Sequence, residues 1–211
     1  GGCSPTTHQF AISPWLTETK NVCCANDRTR RIYVPDVDPF AMMLNEKSTT
    51  ALEGQDPQQQ QQYQPPELSM AAGEFLSIYS HPKEHGQWDA VASCFFLDTA
   101  PCIIDYIKAI YDMLKPNGIL INFGPLLYHW SSPPIRPEDN SLEEYKNRHS
   151  NLDERYLTSV DMSWDDIREV LLRVGFVIEE ERVGIPARYT ADRTSMMTTE
   201  YHCVYCVARK K

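Results

Sequence analysis

Two side chains that can accept or donate a proton, Asp98 and His129, each follow an apolar run of the sequence. Asp98 comes directly after the run Cys94–Leu97, and His129 ends the run that starts at Ile119. In an open α/β sheet, ligands bind outside the carboxyl ends of the strands. We therefore expect both groups at the edge of a sheet where chemistry takes place.

The segments around these two residues predict a strand, a helix and a second strand. Residues 89–97 are apolar at nearly every position, which is typical of a strand that is covered on both faces. From about Pro101 to Lys115, apolar residues recur at helical spacing: Ile103, Ile104, Ile107, Ile110, Tyr111 and Leu114. Pro116 stops this helix, and Gly118 permits a tight turn into the second strand.

The last third of the sequence predicts a helix followed by two antiparallel strands. Ser163 is a suitable N-cap with acidic residues after it, and Gly175 ends the helix. The strands are predicted at Phe176–Val183 and Tyr201–Ala208. Shorter elements are predicted at Arg30–Val34 (a strand), Glu74–Tyr79 (a helix) and Leu142–Arg148 (a helix).

The composition limits the class of protein. A chain of 211 residues, 42% of them hydrophobic, is long enough for one core-forming domain. The net charge of −9 argues against a nucleic-acid partner, since such partners require clustered Lys and Arg. No run approaches the ~18 apolar residues needed to cross a bilayer, and the first residues lack the features of a signal peptide. We expect no membrane partner and a cytoplasmic location, with the nucleus as a second compartment.

Two polar stretches interrupt the predicted domain, which spans residues 1–211. From about residue 46 to 67 the sequence is rich in Gln, Pro, Ser and Thr, which predicts a low-complexity insertion with too little apolar content to pack. Residues 131–160 are rich in Pro, Ser, Glu and Asn, which predicts an excursion over the surface.

The seven cysteines predict reduced thiols and no metal centre. Cys203 and Cys206 form a Cys-x-x-Cys pair, but the alternation of Tyr201–Val207 predicts a strand that turns their side chains to opposite faces. A zinc site also needs a second pair of ligands, and none has suitable spacing.

Several segments resemble those of the carnosine N-methyltransferase family. Phe95–Ala100 and Gly124–His129 resemble its two signature segments, and the similarity covers roughly residues 30–130 and 160–211. Further matching segments are Pro35–Pro39, Ala72–Phe75, Tyr189–Thr190, Ser195–Met197 and Tyr201–Cys203. The resemblance implies a class I methyltransferase fold, a Rossmann-like α/β sheet. It also implies S-adenosylmethionine as cofactor and methylation of an imidazole nitrogen of carnosine or a related histidine-containing dipeptide, giving anserine from carnosine.

The resemblance assigns substrate contacts to Asp98, His129 and Tyr201, with Tyr189 as a further candidate. A carboxylate that accepts the imidazole N–H fixes the tautomer and aims the other nitrogen at the methyl group, and Asp98 suits that role. His129 would hydrogen-bond the acceptor or relay the released proton. The alternatives are that Asp98 only caps a helix beginning near Thr99, that His129 has no role and that Tyr189 is simply packed.

For the cofactor, the resemblance implies contacts from Glu74, Phe75 and Cys94. Glu74, which replaces the commoner Asp of the family, would accept a hydrogen bond from the exocyclic amine of adenine. Phe75 would stack on the ring, and Cys94 would offer a backbone contact near the adenosine.

The Gly-rich loop that holds the methionine and ribose parts of the cofactor in this family has no match in the sequence. We therefore expect an incomplete sheet that lacks the first strands and this loop, the carboxyl-terminal part of the catalytic domain. The expected partner is a small histidine-containing peptide, and a homodimer is possible. A catalytically inactive fragment with an interaction or regulatory role is the alternative, whereas a dehydrogenase is disfavoured because no dinucleotide fingerprint exists.

Overall fold

The computed structural model describes residues 10–34, 68–190 and 192–211. The helices are α1 (Ala25–Arg28), α2 (Phe75–Tyr79), α3 (Ile103–Met113), α4 (Leu142–Arg148), α5 (Glu154–Thr158) and α6 (Trp164–Val174). The strands are β1 (Phe10–Ile12), β2 (Ile32–Val34), β3 (Trp88–Cys94), β4 (Leu114–Gly124), β5 (Phe176–Arg188) and β6 (Glu200–Lys210). None of the described helices is long and apolar enough to cross a membrane.

The chain divides into two compact units by its internal contacts. The first comprises Gly1–Ala72 and Asp192–Thr198, and the second comprises Gly73–Ala191 and Thr199–Lys211. In the first unit, β1 and β2 pair in antiparallel fashion, so the strand predicted at Arg30–Val34 is confirmed. The Pro35–Pro39 segment and the insertion predicted at 46–67 lie outside the described residues, and the prediction of one partial domain over residues 1–211 stays a prediction.

The second unit is built on a four-stranded sheet in the order β3-β4-β6-β5. β3 and β4 are parallel, whereas β6 runs antiparallel to both of its neighbours. A parallel pair requires a crossover connection, which α3 provides between β3 and β4. This arrangement confirms the predicted α/β class and the incomplete Rossmann-like sheet that ends in an antiparallel pair.

α3 supplies much of the core of this unit because one stripe of the helix is apolar. Ile103, Ile107 and Ile110 are fully buried, as their spacing predicts. They belong to the same buried cluster as Ile167 and Leu171 of α6. Burying one such side chain stabilises the fold by about 1.5–3 kcal/mol. The helix is two residues shorter at each end than the predicted range of 101–115.

The turn predicted at Gly118 is present, but it lies within β4. The first residue of β4 pairs with β3, and the pairing resumes at Ile119, so residues 115–118 bulge out of the ladder. Asn117 takes the left-handed conformation, with φ of 65°. A Cβ on Gly118 would lie only 2.9 Å from the Lys115 carbonyl oxygen. Glycine is therefore required here for close approach of the backbone.

Both ends of α6 follow the predicted signals. Ser163 and Asp166 form a capping box, in which the Ser163 hydroxyl accepts from the Asp166 N–H and the Asp166 carboxylate accepts from the Ser163 N–H. Gly175 closes the helix with φ of 119°. A Cβ at Gly175 would lie 2.7 Å from the Tyr111 hydroxyl oxygen, so both the conformation and the space exclude other residues.

Residues 131–160 contain two helices, α4 and α5, where the sequence predicts a surface excursion with one. α4 has the predicted bounds, with Ser141 as its N-cap. Tyr145 anchors this segment, because its side chain is buried and its hydroxyl donates to the Pro133 carbonyl oxygen at 2.7 Å. α5 has only five residues, which is too short for a recognisable apolar period.

Candidate functional site

Asp98 joins the segments that follow the two parallel strands. It lies in a 3-10 turn, Leu97–Thr99, just beyond the end of β3, and only 4% of its surface is exposed. Its carboxylate Oδ2 accepts from the Leu127 N–H at 3.1 Å, and its carbonyl oxygen accepts from the His129 N–H at 3.1 Å. The prediction that Asp98 and His129 meet at the carboxyl edge of the sheet is therefore confirmed by the backbone.

The alternative role of Asp98 as a cap of the following helix is wrong. α3 begins at Ile103 with Cys102 as its N-cap, and no side chain caps it. Burial raises the pKa of Asp98 above its ordinary value, although the hydrogen bond from Leu127 and the nearby His129 act in the opposite direction. The carboxyl group thus holds its proton more tightly than an exposed aspartate does.

His129 is exposed and lines a cavity of about 490 Å³. The cavity is bounded by α2, the turn before α3, the residues after β4 and helix α5. Its lining residues are Glu74, Leu76, Thr99, Pro101, Cys102, Asp105, Tyr106, His129, Trp130, Arg155 and Thr158. Of the residues predicted for the site, the cavity brings together Glu74 and His129.

Tyr189 and Tyr201, both predicted to contact substrate, lie in an aromatic cluster with Phe95 and Phe123. The Phe95 ring lies 5.9 Å from Tyr189, 5.8 Å from Tyr201 and 6.0 Å from Phe123, measured between ring centroids. Tyr189 is 65% exposed, so the alternative of a simply packed tyrosine does not fit it. Tyr189 is the exposed member of this cluster, whereas Phe95, Phe123 and Tyr201 are half-buried.

Phe95 is the residue of this cluster that the sequence analysis missed as a site candidate. It follows directly after β3 and takes the left-handed conformation, with φ of 52°, which is uncommon for a bulky residue. Its N–H donates to the Phe123 carbonyl oxygen at 2.8 Å. A Cβ on Gly124 would lie 3.1 Å from the Phe95 nitrogen. The sequence does contain a signal for this contact. A bulky residue follows the end of β3, and a glycine lies at the end of β4.

Glu74 and Phe75 have structural partners in addition to their predicted contacts with adenine. The Glu74 carboxylate caps α2: Oε1 accepts from the Leu76 N–H at 3.0 Å, and Oε2 accepts from the N–H and the hydroxyl of Ser77 at 2.6 and 2.8 Å. Oε1 therefore retains a free lone pair. The Phe75 ring packs against Tyr106 at 4.8 Å and Phe96 at 5.2 Å. Phe75 is half-buried, so part of its surface remains accessible to a ligand.

Cys94, at the end of β3, is exposed, while Cys203 on β6 is buried. Burial raises the pKa of Cys203, and the charges of Cys94 and Asp98 add to that effect. Cys206 is also a free, buried thiol, and burial raises its pKa to about 11. In the described part of the chain, no group of three or more His, Cys, Asp and Glu side chains could hold a metal ion.

Comparison with known proteins identifies the family. Residues 2–211 match the family model described as carnosine N-methyltransferase, and the chain belongs to that family. It is 35% identical over 204 residues to the carnosine N-methyltransferase of Rattus norvegicus and 30% identical over 205 residues to that of Drosophila melanogaster. Each alignment covers 96% of this chain but only 40% and 35% of the relatives, so the chain spans about two fifths of their length or less.

Similarity to solved structures is too weak to support the fold class by itself. A SAM-dependent methyltransferase from Methanosarcina mazei is 16% identical and superimposes with a TM-score of 0.34, covering 60% of each chain. The fold class rests instead on the strand order of this chain and on its family.

Proposed function

We propose that the protein carrying this chain is an S-adenosylmethionine-dependent N-methyltransferase that methylates an imidazole nitrogen of carnosine or a related histidine-containing dipeptide, giving anserine from carnosine. One observation carries the proposal. The buried Asp98 and the exposed His129 are joined by a backbone hydrogen bond at the carboxyl edge of a parallel strand pair, and His129 lines a cavity. The family of the chain supports the choice of acceptor.

Asp98 would orient the acceptor. Its carboxylate accepts the N–H of a neutral imidazole, so the lone pair of the other nitrogen points away from Asp98 and toward the methyl donor. Held in this orientation, that nitrogen could accept the methyl group that S-adenosylmethionine would supply. The proton on the nitrogen that faces Asp98 is then acidic, and the raised pKa of Asp98 suits it to accept that proton. His129, which is exposed, would relay it to solvent.

The described residues fit one end of the cofactor. S-adenosylmethionine supplies an electrophilic methyl group when it is bound. The free lone pair on Oε1 of Glu74 would accept from the adenine amine, the edge of Phe75 would contact the ring, and the backbone of Cys94 would lie near the adenosine. Tyr189 and Tyr201 would contact the acceptor through the aromatic cluster.

Location and assembly remain part of the proposal. We propose a cytoplasmic location with the nucleus as a second compartment, no nucleic-acid or membrane partner, and a homodimer. Fractionation of cells and light scattering of the purified protein would test these points.

Transfer of a labelled methyl group from S-adenosylmethionine to carnosine, by the complete protein that carries this chain, tests the function. The matched control acceptor is β-alanylalanine, which has the same backbone but no imidazole. We expect label in the dipeptide with carnosine alone. Absence of transfer to carnosine would refute the proposed function and favour an inactive, interaction-type protein.

A further inference from the structure

The excursion over residues 131–160 supplies one wall of the cavity that His129 lines. That wall contains Arg155 and Thr158 of α5, and Trp130 lies between it and His129. Arg155 is the only Lys or Arg among the lining residues of this cavity. The wall therefore places a permanent positive charge in the cavity that His129, a proposed acceptor contact, also lines.

Arg155 is held in a fixed orientation by two neighbours. Its Nε and Nη2 atoms donate to the two carboxylate oxygens of Asp153 at 2.9 and 2.7 Å. Its guanidinium carbon lies 3.8 Å above the ring of Trp130. Trp130 is itself fixed, because its Nε1 donates to the Thr99 carbonyl oxygen at 3.0 Å. A stacked, bidentate arginine loses little further side-chain freedom when it binds a ligand.

The guanidinium retains donors for a further anion. Arginine has five N–H groups, and the bonds to Asp153 use two of them along one edge of the guanidinium plane. The edge that carries Nη1 is not used by Asp153. A planar fork of N–H donors is suited to bind a carboxylate through two parallel hydrogen bonds.

The charges that line the cavity have both signs. Glu74 and Asp105 are the acidic lining residues, and Arg155 is the basic one. The pKa of Glu74 is lowered because hydrogen bonds from Ser77 and Leu76, together with the charge of Arg155, outweigh the effect of burial. A cavity with opposite charges on its walls suits a small zwitterion.

We propose that Arg155 binds the α-carboxylate of the acceptor dipeptide and so selects acceptors that carry a free carboxyl terminus. The inference rests on the proposed function, because carnosine carries its imidazole and its carboxylate on the same residue. A carboxylate held at Arg155 would place the attached imidazole next to His129, which directly precedes Trp130 in the chain. The amine of the dipeptide would then lie toward Asp105, the second acidic lining residue, since Glu74 is assigned to the adenine amine.

Kinetics of the complete protein with two acceptors would test this role. Carnosine and its carboxamide differ only in the charge and acceptor pattern at the carboxyl terminus. For the wild type, we expect a KM for the carboxamide about 10- to 100-fold above that for carnosine, as a lost hydrogen bond to a charged group predicts. Arg155→Gln should raise the KM for carnosine by the same factor and change kcat by less than about threefold. The KM for the carboxamide should stay unchanged.

Arg148→Gln is the matched control variant. Arg148 lies in the same excursion and is paired with Asp139, but it does not line the cavity. Arg148→Gln should leave the KM for carnosine and the KM for its carboxamide within about twofold of the wild-type values. Arg155→Lys, which keeps the charge but not the fork, should recover part of the discrimination.

Three outcomes would overturn the inference. The wild type could have equal KM values for both acceptors, Arg155→Gln could leave the KM for carnosine unchanged, or Arg155→Gln could raise the KM for both acceptors equally. The first needs no variant, so it applies even where Arg155→Gln does not fold. Failure of the proposed function is a separate result, since it would appear as no methylation of either acceptor by the wild type. In that case, calorimetric titration of the two dipeptides into the wild type measures the same discrimination without turnover, and equal affinities would overturn the role of Arg155.

Discussion

Asp98 combines a structural contact with the proposed catalytic one. Asp98→Ala removes both the acceptor for the Leu127 N–H and the group that orients the imidazole. In the complete protein we expect a fall in kcat/KM for carnosine of about two to three decades, the usual cost of a lost orienting or charge-stabilising group. Cofactor affinity should stay within a few-fold of the wild type.

The matched control for this substitution is Asp89→Ala. Asp89 lies on β3, the strand that precedes Asp98, and its exposed side chain pairs with Lys115, so its loss should leave kcat/KM nearly unchanged. Near-normal turnover of Asp98→Ala in a labelled-methyl assay would contradict the assignment of Asp98.

Asp98 should also leave a signature in the pH dependence of stability. Because burial raises its folded-state pKa above the ordinary value of 3.8, the folded state binds this proton more tightly than the unfolded chain does. As the pH falls from 7 through the raised pKa toward 3.8, the wild type should therefore gain stability relative to Asp98→Asn, which cannot titrate. Urea unfolding of both proteins across this range measures the difference. A wild type that instead loses stability relative to Asp98→Asn on acidification would show that the ionised carboxylate is the favoured form.

The backbones at the ends of β3 and β4 lie so close together that a change in one strand must affect the other. A methyl group on Gly124 would meet the backbone nitrogen and Cα of Phe95 at 3.1 and 3.2 Å. Because Phe95 is already in the left-handed region, its backbone has little freedom to move away. We expect Gly124→Ala to lower the free energy of unfolding by about 1–3 kcal/mol.

The same substitution should disturb the aromatic cluster of Phe95, Phe123, Tyr189 and Tyr201. Near-ultraviolet circular dichroism reports on such rings, and Tyr189→Phe provides a control that keeps the ring and the backbone. An unchanged spectrum and unchanged stability of Gly124→Ala would show that the strand ends are more adaptable than the structure indicates.

The elements that could be predicted are those whose signals lie within a short stretch of the sequence. The apolar stripe of α3, the capping box at Ser163 and the glycine at 175 each depend on a few neighbouring residues, so α3 and α6 were predictable. The aromatic cluster was not fully predictable, because it depends on the end of β3 meeting β5 and β6, which lie far along the chain. The cavity was missed for the same reason: its walls come from four separate segments, including the unpredicted helix α5.

For the whole molecule, the length of the chain relative to its family leads to a prediction about the cofactor. The chain spans about two fifths of the length of the rat relative, and the cofactor contacts that we propose for it, from Glu74, Phe75 and Cys94, are all with the adenosine part. We expect the 211-residue chain alone to bind S-adenosylmethionine with a dissociation constant of about 1 mM or weaker. Calorimetry on the purified chain measures this, with the complete protein as the control. Micromolar affinity of the chain alone would show that residues 1–30 supply a binding element.

The position of β6 has a consequence for how the chain is made. β6 is the last strand along the described chain, yet in the sheet it lies between β4 and β5, which are synthesised earlier. A nascent chain that has reached only Arg188 therefore holds two strands whose shared neighbour does not yet exist. Their unpaired edges are then open to association with other chains. Premature termination between residues 188 and 200 should yield a product that aggregates rather than a smaller folded protein.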